Sequence, residues 1–236
     1  HSPDNYIVER VEFKSHDGRL VPLTITRHKK TKIDGSANLL LYGYGSYGSS
    51  MSPSFSSTRL SLIDRDIIWA TAHIRGGMEK GMKWWKEGKL TNKKNTFEDY
   101  IYAAKYLIKK NYTSKGKIIG MGGSAGGLLM GAVVNKSPEL VLGIRMAVPF
   151  VDSLTTNLDH SLPLTVGEFY EFGNAKDNKE HFDYIFSYAP YNNIKKKDYP
   201  HMLITTNLSD NRVLFDEPTK FTAKLREYKT DNNLLL

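Results

Sequence analysis

The sequence predicts an α/β protein: a mostly parallel sheet with helices on both faces. Three observations predict it. The runs within "ANLLLYGYG", "DIIWATAHIRGG" and "GIRMAVPFVD" are apolar throughout, as strands covered on both faces are. Segments with helical spacing of apolar residues separate them. Polar, glycine-rich stretches follow the strands, where such folds place their sites. At 236 residues, 40% hydrophobic and 25% charged, the chain has the size and balance of one soluble domain with a real core.

The elements follow in order. "YIVERVEFKSHDGRLVPLTITRHK" alternates residue types around the turn signal "HDG" and reads as a β-hairpin. "ANLLLYGYGSYG" and "DIIWATAHIRGG" are strands that break into glycine loops. "TFEDYIYAAKYLIKK" carries Phe97, Ile101, Ala104 and Ile108 at helical spacing, and Thr96 with Asp99 suggests a capping box. "KGKIIGMGGSAGGLLMGAVVN" is strand, tight turn and helix. "GIRMAVPFVD" and "YPHMLITTNLSD" are further strands, "EPTKFTAKLREY" is a helix, and "DNNLLL" resembles one more strand. No linker divides residues 1–236.

Composition narrows the function classes. The absence of cysteine excludes disulfides, a thiolate nucleophile and Cys-ligated metal, and fits a reducing, cytoplasmic setting. No apolar run approaches the roughly 18 residues that cross a bilayer. The net charge of +8 comes with lysines in short scattered groups, "HKKTK", "NKKN", "IKKN" and "NIKKKD". Without an arginine-rich helix or an aromatic stripe, these read as a solvated surface and not as a nucleic-acid or membrane site. No cofactor or metal motif is present. The start, "HSPDNYIVER", reads as the interior of a longer chain.

Gly122-Gly123-Ser124-Ala125-Gly126 fits G-x-S-x-G, between a predicted strand and a predicted helix. That context marks a nucleophile elbow of the α/β-hydrolase type. Ser124 is held on a sharp turn at positive φ, and the N–H of Ala125 at the helix start is an oxyanion donor. The alternatives are a flexible linker or a phosphate loop; a Walker loop needs Lys before Ser or Thr, which is lacking. In this fold the acid follows the nucleophile and the histidine follows the acid. Asp210, in the loop after "MLITT", is the acid candidate; its alternative is a turn aspartate. None of the seven histidines follows Asp210. The expectation is a site with Ser124 and Asp210 at one edge of the sheet, an imidazole-sized gap between them, and no triad histidine in this chain.

The stretches "LLYGYGSYG", "AHIRGGMEKG", "GKLTNKKNTFEDY", "MGGSAGGLLMGAVVN", "LPLTVGEFYEFGN", "SDNRV" and "EPTKFTAKLREYKTDNNLLL" resemble the prolyl oligopeptidase group of serine peptidases, in its oligopeptidase B branch. The resemblance runs from about Asn5 to Leu236. It implies an α/β-hydrolase catalytic domain capped by a β-propeller that admits short peptides. The propeller and the His-bearing C-terminal segment are absent from this chain, so residues 1–236 read as a partial catalytic domain. It implies Ser124 as nucleophile and Asp210 as acid. It implies the Tyr44 hydroxyl as second oxyanion donor, the alternative being a packed aromatic. Arg212 resembles an arginine that binds a substrate carbonyl; otherwise it is a surface charge. Glu168 aligns with the glutamate that receives Arg or Lys before the scissile bond, the alternative being a solvated helix face. Tyr170 stands where the branch has an acid that favours a second basic residue, and Glu171 is close by.

The resulting expectation is a serine oligopeptidase segment acting on short basic peptides, inactive alone for want of its histidine. The alternative is a non-catalytic hydrolase remnant or binding module. If another base acts, His73 and His160 are the candidates.

Overall fold

The computed structural model of the chain describes residues 2–52 and 54–236. The hairpin is β1 (Tyr6–Lys14) and β2 (Leu20–His28), antiparallel from Tyr6 opposite His28 to Lys14 opposite Leu20. Its turn closes where Ser15 N donates to Arg19 O at 2.8 Å. The apolar runs become β3 (Leu39–Tyr42), β4 (Ile68–Ala72), β5 (Ile118–Gly123), β6 (Gly143–Ala147) and β7 (His201–Thr205). Among the described residues the seven strands form one sheet, ordered β1-β2-β4-β3-β5-β6-β7. Only β2 runs against the others; β4 to β7 pair in parallel. Residues 234–236 extend this edge: Met202 N donates to Leu234 O and Ile204 N to Leu236 O, both at 2.8 Å. The "LLL" run therefore pairs along β7 as a strand does.

Helix α3 (Lys94–Lys109) buries Phe97, Ile101, Ala104 and Leu107, while Ile108 is only partly buried against the core. It packs on the hairpin through Tyr106 and Phe13, whose ring centroids are 5.7 Å apart. Helix α1 (Ser57–Ile63) lies on the other side of the hairpin, where Tyr6, Val8 and Trp69 line a hollow with Leu60 and Ile63. Helix α4 (Ala125–Lys136) is the most deeply buried: Leu128, Leu129, Met130 and Val134 are fully enclosed. α2 (Met82–Lys86), α5 (Ser153–Leu158), α6 (Thr165–Phe172), α7 (Lys179–Phe186) and α8 (Asp216–Tyr228) complete the fold.

The expected capping box at Thr96 and Asp99 does not form. α3 starts at Lys94, and both side chains are fully buried one turn inside it. Thr96 Oγ1 donates to Arg75 O at 2.8 Å. Asp99 serves Arg75: Oδ2 accepts from Arg75 N at 3.0 Å and Nε at 2.9 Å, and Oδ1 accepts from Nη2 at 2.7 Å. Ser15 Oγ also donates to Asp99 Oδ1, and Arg75 Nη1 donates to Asp17 Oδ2 at 2.6 Å. A cap is worth about 1 kcal/mol. Leaving a buried guanidinium unpaired costs about 3–5 kcal/mol, so the ion pair decides where Asp99 points.

This cluster ties the hairpin turn, the loop after β4 and α3 together. Arg75→Met strands the Asp99 charge and is expected to cost about 3–5 kcal/mol in denaturant unfolding of the chain. The Arg75→Met, Asp99→Leu double variant should cost less than the sum of the singles. A loss below 1 kcal/mol for Arg75→Met would show that the pair is not an anchor.

Candidate active site

Ser124 joins β5 to α4 with φ 53° and ψ −121°. Positive φ is uncommon outside glycine and carries strain of order 1–3 kcal/mol. Backbone hydrogen bonds hold it. Ser124 N donates to Ala147 O at 2.9 Å, and Ser124 O accepts from Gly127 N at 2.8 Å and Phe150 N at 3.1 Å. The turn closes only because its neighbours lack side chains. A Cβ on Gly122 would lie 2.2 Å from Gly126 O, and one on Gly126 3.0 Å from Gly43 O. Ala125 is the first residue of α4, so its N–H has no acceptor within the helix.

The loop after β3 holds Tyr44 and Tyr47. Tyr44 lines the same cleft as Ser124; burial raises its pKa above the ordinary phenol value, and the Ser124 side chain opposes the shift. Tyr47, at φ 58°, is bracketed by α6. Its hydroxyl donates to Glu168 Oε1 at 2.6 Å and its N–H to Glu171 Oε1 at 2.9 Å. Burial, reinforced by Glu171, raises the Glu168 pKa; the Tyr47 hydrogen bond opposes the shift. Glu171 faces inward, with Oε2 accepting from Trp85 Nε1 at 2.8 Å and only 3% of the residue exposed. Tyr170 is 65% exposed, its ring 5.5 Å from that of Trp85. Two residues along a helix turn the side chain by about 200°, so Tyr170 and Glu168 cannot share a face.

Asp210 follows β7, and one strand, β6, separates β5 from β7. Because these strands are parallel, Ser124 and Asp210 lie at the same end of the sheet. Asp210 Oδ1 accepts from Arg212 N at 2.9 Å and Val213 N at 3.0 Å, which closes the loop. A cleft of about 400 Å³ is lined by Tyr44, Tyr47, Ser124, Phe150, Glu168 and Arg212, among others. The structure thus gathers Ser124, Tyr44, Glu168 and Arg212, and leaves Tyr170 off the cleft. Tyr47 and Phe150 are lining residues that sequence reasoning missed; the glycines flanking Tyr47 signalled a loop but not its direction.

No described histidine lines the cleft. His73 Nε2 is 2.7 Å from Thr24 Oγ1 and 3.2 Å from Arg10 Nη1, between strands. The His160 ring rests on Phe169, centroids 5.0 Å apart. Among the described residues no group of three His, Asp or Glu is placed to hold a metal. No described helix is long and apolar enough to cross a membrane.

Comparison with known proteins bears on the family and the fold. Residues 53–236 match the prolyl oligopeptidase family. Protease 2 of Moraxella lacunata is 50% identical over 228 residues, which is 97% of this chain and 33% of that protein. Dipeptidyl aminopeptidase BI of Pseudoxanthomonas mexicana is 49% identical over 226 residues, 95% of this chain and 31% of that protein. Oligopeptidase B from Leishmania major superposes with TM-score 0.97 at 44% identity, covering all of this chain and 33% of that one. Oligopeptidase B from Trypanosoma brucei, solved with covalently bound antipain, gives TM-score 0.98 at 43% identity, again over all of this chain and 33% of that one. The chain spans about a third of the length of these relatives. The sheet is that of an α/β-hydrolase, and the chain belongs to the prolyl oligopeptidase family of peptidases.

Proposed function

We propose that the cleft is the acylation site of a serine oligopeptidase that cleaves short peptides after arginine or lysine. The observation that carries this reading is one cleft holding a strained serine, a tyrosine hydroxyl and a partly buried glutamate. In it, Ser124 Oγ attacks the scissile carbonyl carbon, and its proton passes to a base. The carbonyl oxygen, now negative, accepts from Ala125 N–H and the Tyr44 hydroxyl. The carbonyl re-forms as the amine leaves with a proton from that base, and water then releases the acyl group by the reverse sequence. Glu168 pairs with the guanidinium or ammonium of the residue before the scissile bond. Arg212 donates to a substrate backbone carbonyl.

Asp210 uses Oδ1 to close its own loop, and Oδ2 is the oxygen assigned to orient the base. The base is assigned to a part of the complete gene product outside these residues, as is a propeller that limits substrate size. The coverage of the relatives supports a longer polypeptide. Oligopeptidase B is the branch this reading selects, and the relatives carrying that name support it. The alternative reading is a non-catalytic hydrolase remnant.

Turnover of arginine and phenylalanine amides by the complete gene product and by residues 1–236 separates the two readings. The complete product is expected to cleave the arginine amide. The 236-residue chain should be slower by about 10⁴-fold or more, the usual cost of a missing triad member. An inactive complete product would favour the remnant, and rapid turnover by the chain alone would show that another base acts.

Glu168→Gln keeps the size and removes the charge. It is expected to reduce the preference for arginine over phenylalanine about 10²-fold, as loss of one partner of a desolvated charge pair does. Equal preference in both forms would remove Glu168 from its role. Only the carboxylate pairs with a cation, and burial raises its pKa. The arginine preference should therefore fade on acidification at a higher pH than an ordinary glutamate would give. Ratios of kcat/KM for the two substrates across the acid range measure this.

A further inference from the structure

Two separate parts of the proposed site, the loop with Tyr44 and the helix with Glu168, meet at one buried ion pair. Lys93 is 1% exposed, although "NKKN" reads as solvated lysine. Its Nζ donates to Gly45 O at 2.6 Å and Ser46 Oγ at 2.7 Å, and lies 3.9 Å from Glu171 Oε1. Gly45 and Ser46 are the two residues between Tyr44 and Tyr47. Glu171 holds the same loop from the other side through Tyr47 N at 2.9 Å. Trp85 Nε1 fixes its second oxygen.

Burying an ammonium is expensive. Desolvation pulls the Lys93 pKa down to about 8, against the attraction of Glu171. A well-packed apolar pair in such a place is often no less stable than the ionic one. What the ions add is direction: three hydrogen bonds to a loop whose position decides where a phenol points.

We propose that Lys93 and Glu171 are positioning residues, Lys93 setting Tyr44 against Ser124 through Gly45 and Ser46, and Glu171 locking Tyr47 and Glu168 to the same loop. This rests on the peptidase reading above. The Tyr44 hydroxyl gains most when the carbonyl oxygen becomes negative, so Lys93 acts on kcat. Glu171 acts through Tyr47 on the cation pocket, so it also acts on KM for arginine substrates.

The test uses Lys93→Met, Lys93→Arg and Glu171→Gln in the complete gene product, with arginine and phenylalanine amides. Lys93→Met is expected to lower kcat about 10- to 100-fold on both, somewhat less than outright loss of an oxyanion donor, with KM within about twofold. Lys93→Arg should recover part of kcat, and Glu171→Gln should raise KM for the arginine amide more than for the phenylalanine amide. Hydrogen exchange of the 236-residue chain is the second readout. Lys93→Met should speed exchange in residues 43–48 and 165–172 and leave 125–136 unchanged. An unchanged kcat, or faster exchange spread equally over 125–136, overturns the proposal. If wild-type product cleaves neither amide, the peptidase reading fails; exchange still decides the positioning role, and no change at 165–172 overturns it. Should Lys93→Met not fold, Ser46→Ala removes one acceptor and is expected to lower kcat several-fold at constant KM; an unchanged kcat again overturns the proposal.

Discussion

The site depends on a serine held where serine does not rest. At φ 53° Ser124 is under strain that must be matched by its surroundings, and the surroundings are the ends of two parallel strands. The register of β5 on β6 sets Gly123 opposite Ala147, which delivers the Ala147 carbonyl to Ser124 N–H. The next residue, Val148, is itself at φ 41°, an unusual state for a β-branched side chain, and Phe150 N–H then returns to Ser124 O. Two irregular turns thus brace each other. α4 begins directly beneath, so the serine, the Ala125 N–H and the positive end of the helix share one origin.

Charge is distributed with the same economy of position. The chain is basic, with a net charge of +8, yet several cations near the site are turned inward. Arg75 is paired with Asp99 and Asp17. Lys93 faces Glu171 and two loop acceptors. Lys89, 5% exposed, has its Nζ 3.9 Å and 3.2 Å from the ring centroids of Trp85 and Tyr170. What remains to face the cleft is Glu168 and Arg212, one charge of each sign. The Glu168 carboxylate is already oriented by Tyr47, while the neighbouring lysines are occupied elsewhere.

The fold was legible because its signals are local. Uniformly apolar runs mark β3 to β6, "HDG" marks the hairpin, and G-x-S-x-G between strand and helix marks Ser124. What was hidden is set by contacts distant in sequence. Thr96 and Asp99 have the form of a cap, but Arg75, more than 20 residues away, claims both. Lys93 and Lys94 are adjacent and look alike; one is enclosed and the other exposed, because helix geometry sends them in different directions. The same geometry separates Tyr170 from Glu168. Side-chain direction within "GEFYEFG" follows from the helix phase, and the residues around it give no periodic signal strong enough to set that phase.

The loops after β3 and β4 cross with almost no space between them. A Cβ on Gly76 would sit 1.9 Å from the Gly45 carbonyl oxygen, and one on Gly88 2.1 Å from Gly76 N. Three stretches of main chain, widely separated in sequence, are stacked like sheets of paper. They are therefore inherited as a block. A chimera that borrows the tyrosine loop from a distant peptidase must borrow its two crossing partners as well. The loop after β7 approaches the cleft without passing through that crossing, so it is the part of the lining free to vary by itself.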